Sequence, residues 1–117
     1  PHSRHTTCKR EDIEAVEDLK ILSSSDEAGV FVVSTDKGRQ IFVTGHSEYD
    51  ADTLKNEYLR DKAAGLGTAL PVNYFPSDDD TKEPMVKWRS SANLLYSNWL
   101  NYFVYQTTPY DIEEIGK

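Results

Sequence analysis

In the stretch "IFVTGHSEYD", Ile41 to Asp50, an apolar strand pattern runs into a glycine and then offers His46 and Glu48, two residues apart. Residues i and i+2 of an extended segment project to one side, about 6–7 Å apart at a rise of about 3.3 Å per residue, so the two can face one pocket. A neutral imidazole is a useful general base when one ring nitrogen faces a nucleophile and a carboxylate holds the other. The carboxylate fixes the tautomer and stabilises the imidazolium. Glu48 is spaced to hold His46 in that way. A surface histidine, or one hydrogen-bonded for structural reasons, has the same local signature, and the nucleophile is the missing part.

The other titratable residues supply no rival centre. Cys8 is the only cysteine; it sits in a polar loop between Thr7 and Lys9, with nothing resembling the strand-to-helix elbow that exposes a reactive thiolate. A single cysteine also excludes an internal disulfide and fits a reducing compartment. His2, His5 and His46 with a carboxylate would suit zinc, yet no H-E-x-x-H or comparable spacing is present, so no metal site is expected. The run Asp78 to Asp80 lacks the alternating acidic positions and the glycine of a calcium loop, and reads as solvated loop.

The elements that must position these groups follow from periodicity. Ile13, Val16 and Leu19 are at helical spacing and predict a short helix from about Arg10 to Val16, after which "LKILSS" reads as a strand. Ala28–Ser34 and Gln40–Thr44 are β-branched or aromatic runs joined by "TDKGR", a hairpin. Val30 to Val33 is continuously apolar, which predicts a strand covered on both faces by helices. Asp50 or Asp52 caps a helix through about Ala64, with Leu54 and Tyr58 as its core face and Gly65 as its stop. Leu66 to Glu83, with Gly67, Pro71 and Pro76, reads as a loop that wraps the surface. Lys87–Gln106 places Trp88, Ala92, Leu95, Trp99 and Phe103 three or four apart, an amphipathic helix whose aromatic stripe should pack on a sheet.

Composition bounds the class. At 117 residues and 38% apolar content, the chain is one domain or part of one. A net charge of −7, with Lys9-Arg10 as the longest basic cluster, excludes a nucleic-acid groove. No apolar run reaches the roughly 18–20 residues needed to span a bilayer, and no secretory signal is present, so a cytoplasmic protein without membrane contact is expected. The chain starts at Pro1 without an initiator Met, and "PHSRHTTC" reads as an internal loop, so a fragment is expected.

Taken together, "PHSR" at Pro1, "GHSEYDADTLKNEYLRD" from Gly45, "PVNYFP" from Pro71 and "WRSSANLLYSNWLNYFVYQTTPYD" from Trp88 resemble the C-terminal part of the homoserine O-acyltransferases of methionine biosynthesis, the O-succinyl- and O-acetyltransferases. The resemblance covers essentially the whole chain. It implies an α/β three-layer sandwich of the class I glutamine amidotransferase-like (flavodoxin-like) type with a Cys-His-Glu triad, of which residues 1–117 are the C-terminal part. It also implies a ping-pong reaction: a cysteine takes the acyl group from acetyl-CoA or succinyl-CoA as a thioester and passes it to the hydroxyl of L-homoserine. No cofactor is implied beyond the acyl-CoA substrate.

His46 matches the family's general base and Glu48 its orienting carboxylate. The family's nucleophile lies upstream in the N-terminal part, so Cys8 does not match it and this chain alone should be inactive. Ser3 matches a substrate-pocket serine, and Arg60 matches the arginine that binds homoserine, a role suited to a guanidinium fork on a carboxylate. Glu57, one helical turn before Arg60, is spaced to receive the substrate ammonium, with an i,i+3 salt bridge to Arg60 as the alternative. Ser47 and Ser91 depart from residues common in related sequences. The partners implied are homoserine, acyl-CoA and the N-terminal part of the same enzyme, and the reading leaves room for a homodimer. Two rivals stand beside it: a glutaminase on the same fold, which needs the triad but not Ser3 and Arg60, and an acidic non-catalytic interaction module.

Overall fold

A computed structural model describes residues 1–109 and 111–116. Helices and one small sheet make the chain α/β. The order is α1 (Arg10–Glu14), β1 (Leu19–Ser25), β2 (Gly29–Thr35), β3 (Ile41–Val43), α2 (Thr53–Ala63) and α3 (Arg89–Trp99). A π-helical turn, Leu100–Val104, and a last turn, Tyr105–Thr107, continue α3. The first helix is shorter than its apolar spacing predicts. It buries no residue and Val16 stays exposed, so nothing pays for a further turn.

The three strands form an antiparallel meander in the order β1-β2-β3. The β2–β3 hairpin closes at Gly38, where φ is +64° and the amide donates to the Thr35 carbonyl at 2.8 Å. Between β1 and β2 the register shifts twice, around Leu22 and around Phe31. Val30, Val32 and Val33 are all buried. Adjacent strand residues face opposite sides, so both faces of β2 are covered. Part of that cover is the N-terminal segment rather than a helix: the His2 ring meets Phe31 edge-on at 5.6 Å, and the Arg4 guanidinium donates to the Ala28 carbonyl.

The segment from Leu66 to Glu83 departs most from its expected course. It does not merely wrap the surface. Phe75, 1% exposed, is the most deeply buried large side chain among the described residues, and with Tyr74, Leu54 and Tyr58 it forms the main apolar cluster. The Tyr74 hydroxyl donates to the Ala51 carbonyl at 2.6 Å, which ties the loop to the start of α2. The acidic run also has a structural part: Asp80 accepts from the Tyr58 hydroxyl at 3.0 Å and from Lys62 Nζ at 2.6 Å, and Asp78 accepts from the Asn73 amide. Helix α2 ends as its sequence predicts. Gly65 takes φ +69°, its amide donates to the Lys62 carbonyl, and the Leu66 amide donates to the Asp61 carbonyl, the paired bonds of a Schellman stop. At its start Asp52 holds the cap position without a side-chain hydrogen bond.

Helix α3 starts at Arg89, two residues later than expected, and its stripe is only partly covered. Ala92 is buried, Trp88, Leu95 and Phe103 are half-buried, and Trp99 is exposed. Phe103 does reach the hairpin, since a Cβ on Gly38 would overlap its ring. An apolar groove between helix and sheet is lined by Leu22, Ile41, Val43, Leu95, Trp99 and Phe103. The Cα radius of gyration is 18.1 Å, against about 13 Å for a compact chain of this length. The arrangement is therefore open. No described helix is long and apolar enough to cross a membrane.

Candidate active site

Strand β3 delivers the chain to the site. Beyond Val43, the Thr44 amide still pairs with the Phe31 carbonyl, and its hydroxyl donates to the Val30 carbonyl at 2.6 Å. The chain then bends. The His46 amide leaves the sheet and donates to the Pro1 carbonyl at 2.7 Å. His46 and Glu48 therefore meet across a turn and not along an extended segment, and their side chains are much closer than strand spacing predicts.

The imidazole Nδ1 and Glu48 Oε1 are 2.8 Å apart. Among the described residues Glu48 is the ring's hydrogen-bond partner, which leaves Nε2 as the nitrogen able to take a proton. The hydrogen bond from His46, followed by a backbone one, holds the Glu48 pKa below the ordinary glutamate value. Its negative charge faces the ring, as an orienter requires. Tyr96 of α3 lies against the same carboxylate, and burial together with that charge raises its phenol pKa.

Ser3 and Glu57 line one cavity of about 300 Å³, together with His2, Tyr58, Asp61 and Thr68. Glu57 does not pair with Arg60. Its Oε1 accepts from the Tyr49 hydroxyl at 2.9 Å, and its Oε2 is buried with no partner. Two atoms of other lining residues, His2 Nδ1 and Thr68 Oγ1, are also buried and unpartnered. The pKa of the Tyr49 phenol is raised first by burial and then by Glu57, with Ser3 pulling it the other way. A buried polar atom without a partner is costly, and three residues around this cavity each carry one.

Arg60 stands just outside. Its side chain is 70% exposed, and its Nε donates to Asp61 Oδ1 at 2.8 Å. Each partner favours the other's charged form: the pair raises the Arg60 pKa and lowers that of Asp61. The Arg60 charge also interacts with Glu57 and Tyr49. The i,i+3 alternative for Glu57 is thus replaced by Tyr49 on one side and Asp61 on the other. Cys8 is a free, exposed thiol. Among the described residues no three His, Cys, Asp or Glu side chains come together as a metal site.

Tyr49 and Asp61 escaped the sequence reading. Tyr49 follows Glu48 directly and its ring stacks on His46, with centroids 4.2 Å apart and planes 15° from parallel. An aromatic residue beside an His-x-Glu pair was the available signal. Asp61 was visible only as an acidic neighbour of Arg60.

The chain is similar over nearly all its length to curated acyltransferases. It is 65% identical over 112 residues, 96% of this chain, to the homoserine O-acetyltransferase of Brevibacillus brevis (strain 47) and covers 37% of that protein. To the homoserine O-acetyltransferase of Acetivibrio thermocellus it is 64% identical over 98% of its length, covering 38% of that protein. To that of Petrotoga mobilis it is 58% identical over its whole length, again covering 38%. It thus spans under two-fifths of the relatives it matches. The family model described as Homoserine O-succinyltransferase matches residues 1–110, and the chain belongs to that family.

Proposed function

We propose that the intact protein transfers an acyl group from acyl-CoA to the hydroxyl of L-homoserine through a cysteine thioester, and that residues 1–117 are the C-terminal part of its catalytic domain. The observation that carries the reading is the 2.8 Å pair of His46 Nδ1 and Glu48 Oε1, linked through Tyr49 to the cavity of Ser3 and Glu57. Family membership supports the substrate pair. The family model's name carries a succinyl group and the relatives' names an acetyl group, so the donor is taken as one of these two acyl-CoA thioesters. No cofactor is needed beyond it. The three-layer, amidotransferase-like sandwich belongs to the same reading, with the rest of the domain supplying the nucleophile, as does a cytoplasmic location.

In this mechanism His46 Nε2 takes the thiol proton as the sulfur attacks the acyl carbonyl. The bond to the CoA sulfur breaks, and the proton leaves with CoA. Homoserine then enters. His46 takes its hydroxyl proton as the oxygen attacks the thioester, and the cysteine thiolate is expelled and reprotonated. Glu48 holds the imidazolium through both halves. Glu57 Oε2 receives the amino acid's ammonium, Ser3 bounds the pocket, and Arg60 receives the carboxylate.

The test is mass spectrometry of the intact enzyme mixed with acetyl-CoA or succinyl-CoA. An acyl adduct that homoserine discharges is expected, and His46→Ala should abolish it. Normal thioester build-up in that variant would refute the assignment of the base.

A further inference from the structure

Among the described residues, Tyr49 touches both halves of the proposed site. Its ring lies face to face with the His46 imidazole, and its hydroxyl donates to Oε1 of Glu57 at 2.9 Å. The residue is itself anchored, because Trp88 Nε1 at the start of α3 donates to its carbonyl at 3.1 Å. Glu57 is carried by α2, whose start Tyr74 ties to the Ala51 carbonyl. The base, a turn residue and a helix residue therefore share one side chain.

A carboxylate offers about four acceptor positions on two oxygens. With Oε1 occupied by the phenol, the acceptor capacity of Glu57 is concentrated on Oε2, which is buried and unpartnered. On the other side, a ring stacked on an imidazole blocks that face and limits the imidazole to movement within its own plane. The hydrogen bond to Glu48 then fixes the remaining rotation.

We propose that Tyr49 is the positioning residue that sets the distance between the ammonium-binding oxygen of Glu57 and the proton-accepting nitrogen of His46. This rests on the acyl-transfer reading above. Tyr49 touches neither reacting atom; it acts through Glu57 by its hydroxyl and through His46 by its ring. The two contacts separate by chemistry, so they can be removed one at a time.

The experiment uses the intact enzyme with acyl-CoA and homoserine. Tyr49→Phe keeps the stacked ring and loses the hydroxyl. Its KM for homoserine should rise about tenfold or more, the usual effect of losing a hydrogen bond to a charged group. Thioester formation, followed by rapid-quench mass spectrometry, should stay close to that of the unaltered enzyme. Tyr49→Ala also loses the stack, and thioester formation should then fall as well. An unchanged homoserine KM in Tyr49→Phe overturns the proposal, as does a loss of thioester formation in that variant equal to its loss of homoserine use. Normal thioester formation in Tyr49→Ala overturns the part assigned to the ring. If the unaltered enzyme forms a thioester that homoserine fails to discharge, the acyl-transfer reading itself falls, and this inference falls with it.

Discussion

The Pro1 carbonyl oxygen lies so close to Gly45 that a Cβ on that glycine would stand 2.9 Å from it, and only 3.0 Å from both His2 Nε2 and Phe31 Cε2. The same carbonyl accepts the His46 amide hydrogen bond, so the space that only glycine leaves free is what orients the backbone of His46. Gly45→Ala should destabilise the enzyme by about 1–3 kcal/mol, the range for overpacking a tight site. It should also slow thioester formation. Denaturant unfolding and single-turnover kinetics measure the two effects, and a variant unchanged in both would contradict the packing argument.

The pairing of Glu48 with His46 predicts a titration. The hydrogen bond from His46 places the folded carboxylate pKa below its ordinary value of 4.5. A carboxylate depressed in this way stabilises the fold fully above its unfolded pKa, and that contribution is lost as pH falls through the lower, folded value. Carbon-detected NMR should therefore find a Glu48 midpoint below 4.5, and His46→Ala should move it back up. A midpoint unmoved by that substitution would mean that the ring does not hold the carboxylate.

Asp61 occupies Nε of Arg60, and among the described residues the two terminal nitrogens, the open end of the fork, hold no hydrogen bond. On the proposed acyl-transfer reading, a substrate carboxylate would be gripped end-on. Arg60→Lys loses the bidentate geometry and should raise the homoserine KM by roughly ten- to a hundredfold with thioester formation unaffected. Asp61→Asn should shift it in the same direction by less, since the amide oxygen can still accept from Nε. Equal damage to both half-reactions in steady-state and single-turnover assays would contradict this assignment.

Phe75 fills the cluster of Leu54, Tyr58 and Tyr74 that carries α2. Phe75→Ala should cost about 3–5 kcal/mol in unfolding free energy, the range for emptying a buried aromatic site. Equilibrium denaturation tests it: a loss below about 1 kcal/mol would mean that the loop is not part of the core.

Much of this arrangement is legible locally. The Gly65 stop of α2 and the Gly38 hairpin follow from turn chemistry within one element, and periodicity locates α3, although its stripe is covered only in part. The apolar run of β2 correctly announces burial on both faces, although the Pro1–Arg4 segment supplies part of the cover. The inward course of the loop is not legible, because prolines, glycines and acids signal irregular backbone, not exposure. Between Pro71 and Pro76 the pair Tyr74-Phe75 was the sign of a plug, and nothing in a local pattern says which irregular segment turns inward.

The sequence by itself determined the chemistry on offer and the family: a histidine and a glutamate two residues apart, a serine, an arginine, and motifs that mark a homoserine O-succinyltransferase relative over residues 1–110. Tertiary structure decided the partners. Glu57 and Arg60 share a helix at a spacing that permits a salt bridge, yet Glu57 takes Tyr49 from the turn before the helix and Arg60 takes its own neighbour, Asp61. The reason is physical. Periodicity fixes which side chains lie on one face, whereas a hydrogen bond of 2.8–2.9 Å depends on where packing brings separate segments together. Here Trp88, Tyr74 and Phe75 set that placement from outside the motif.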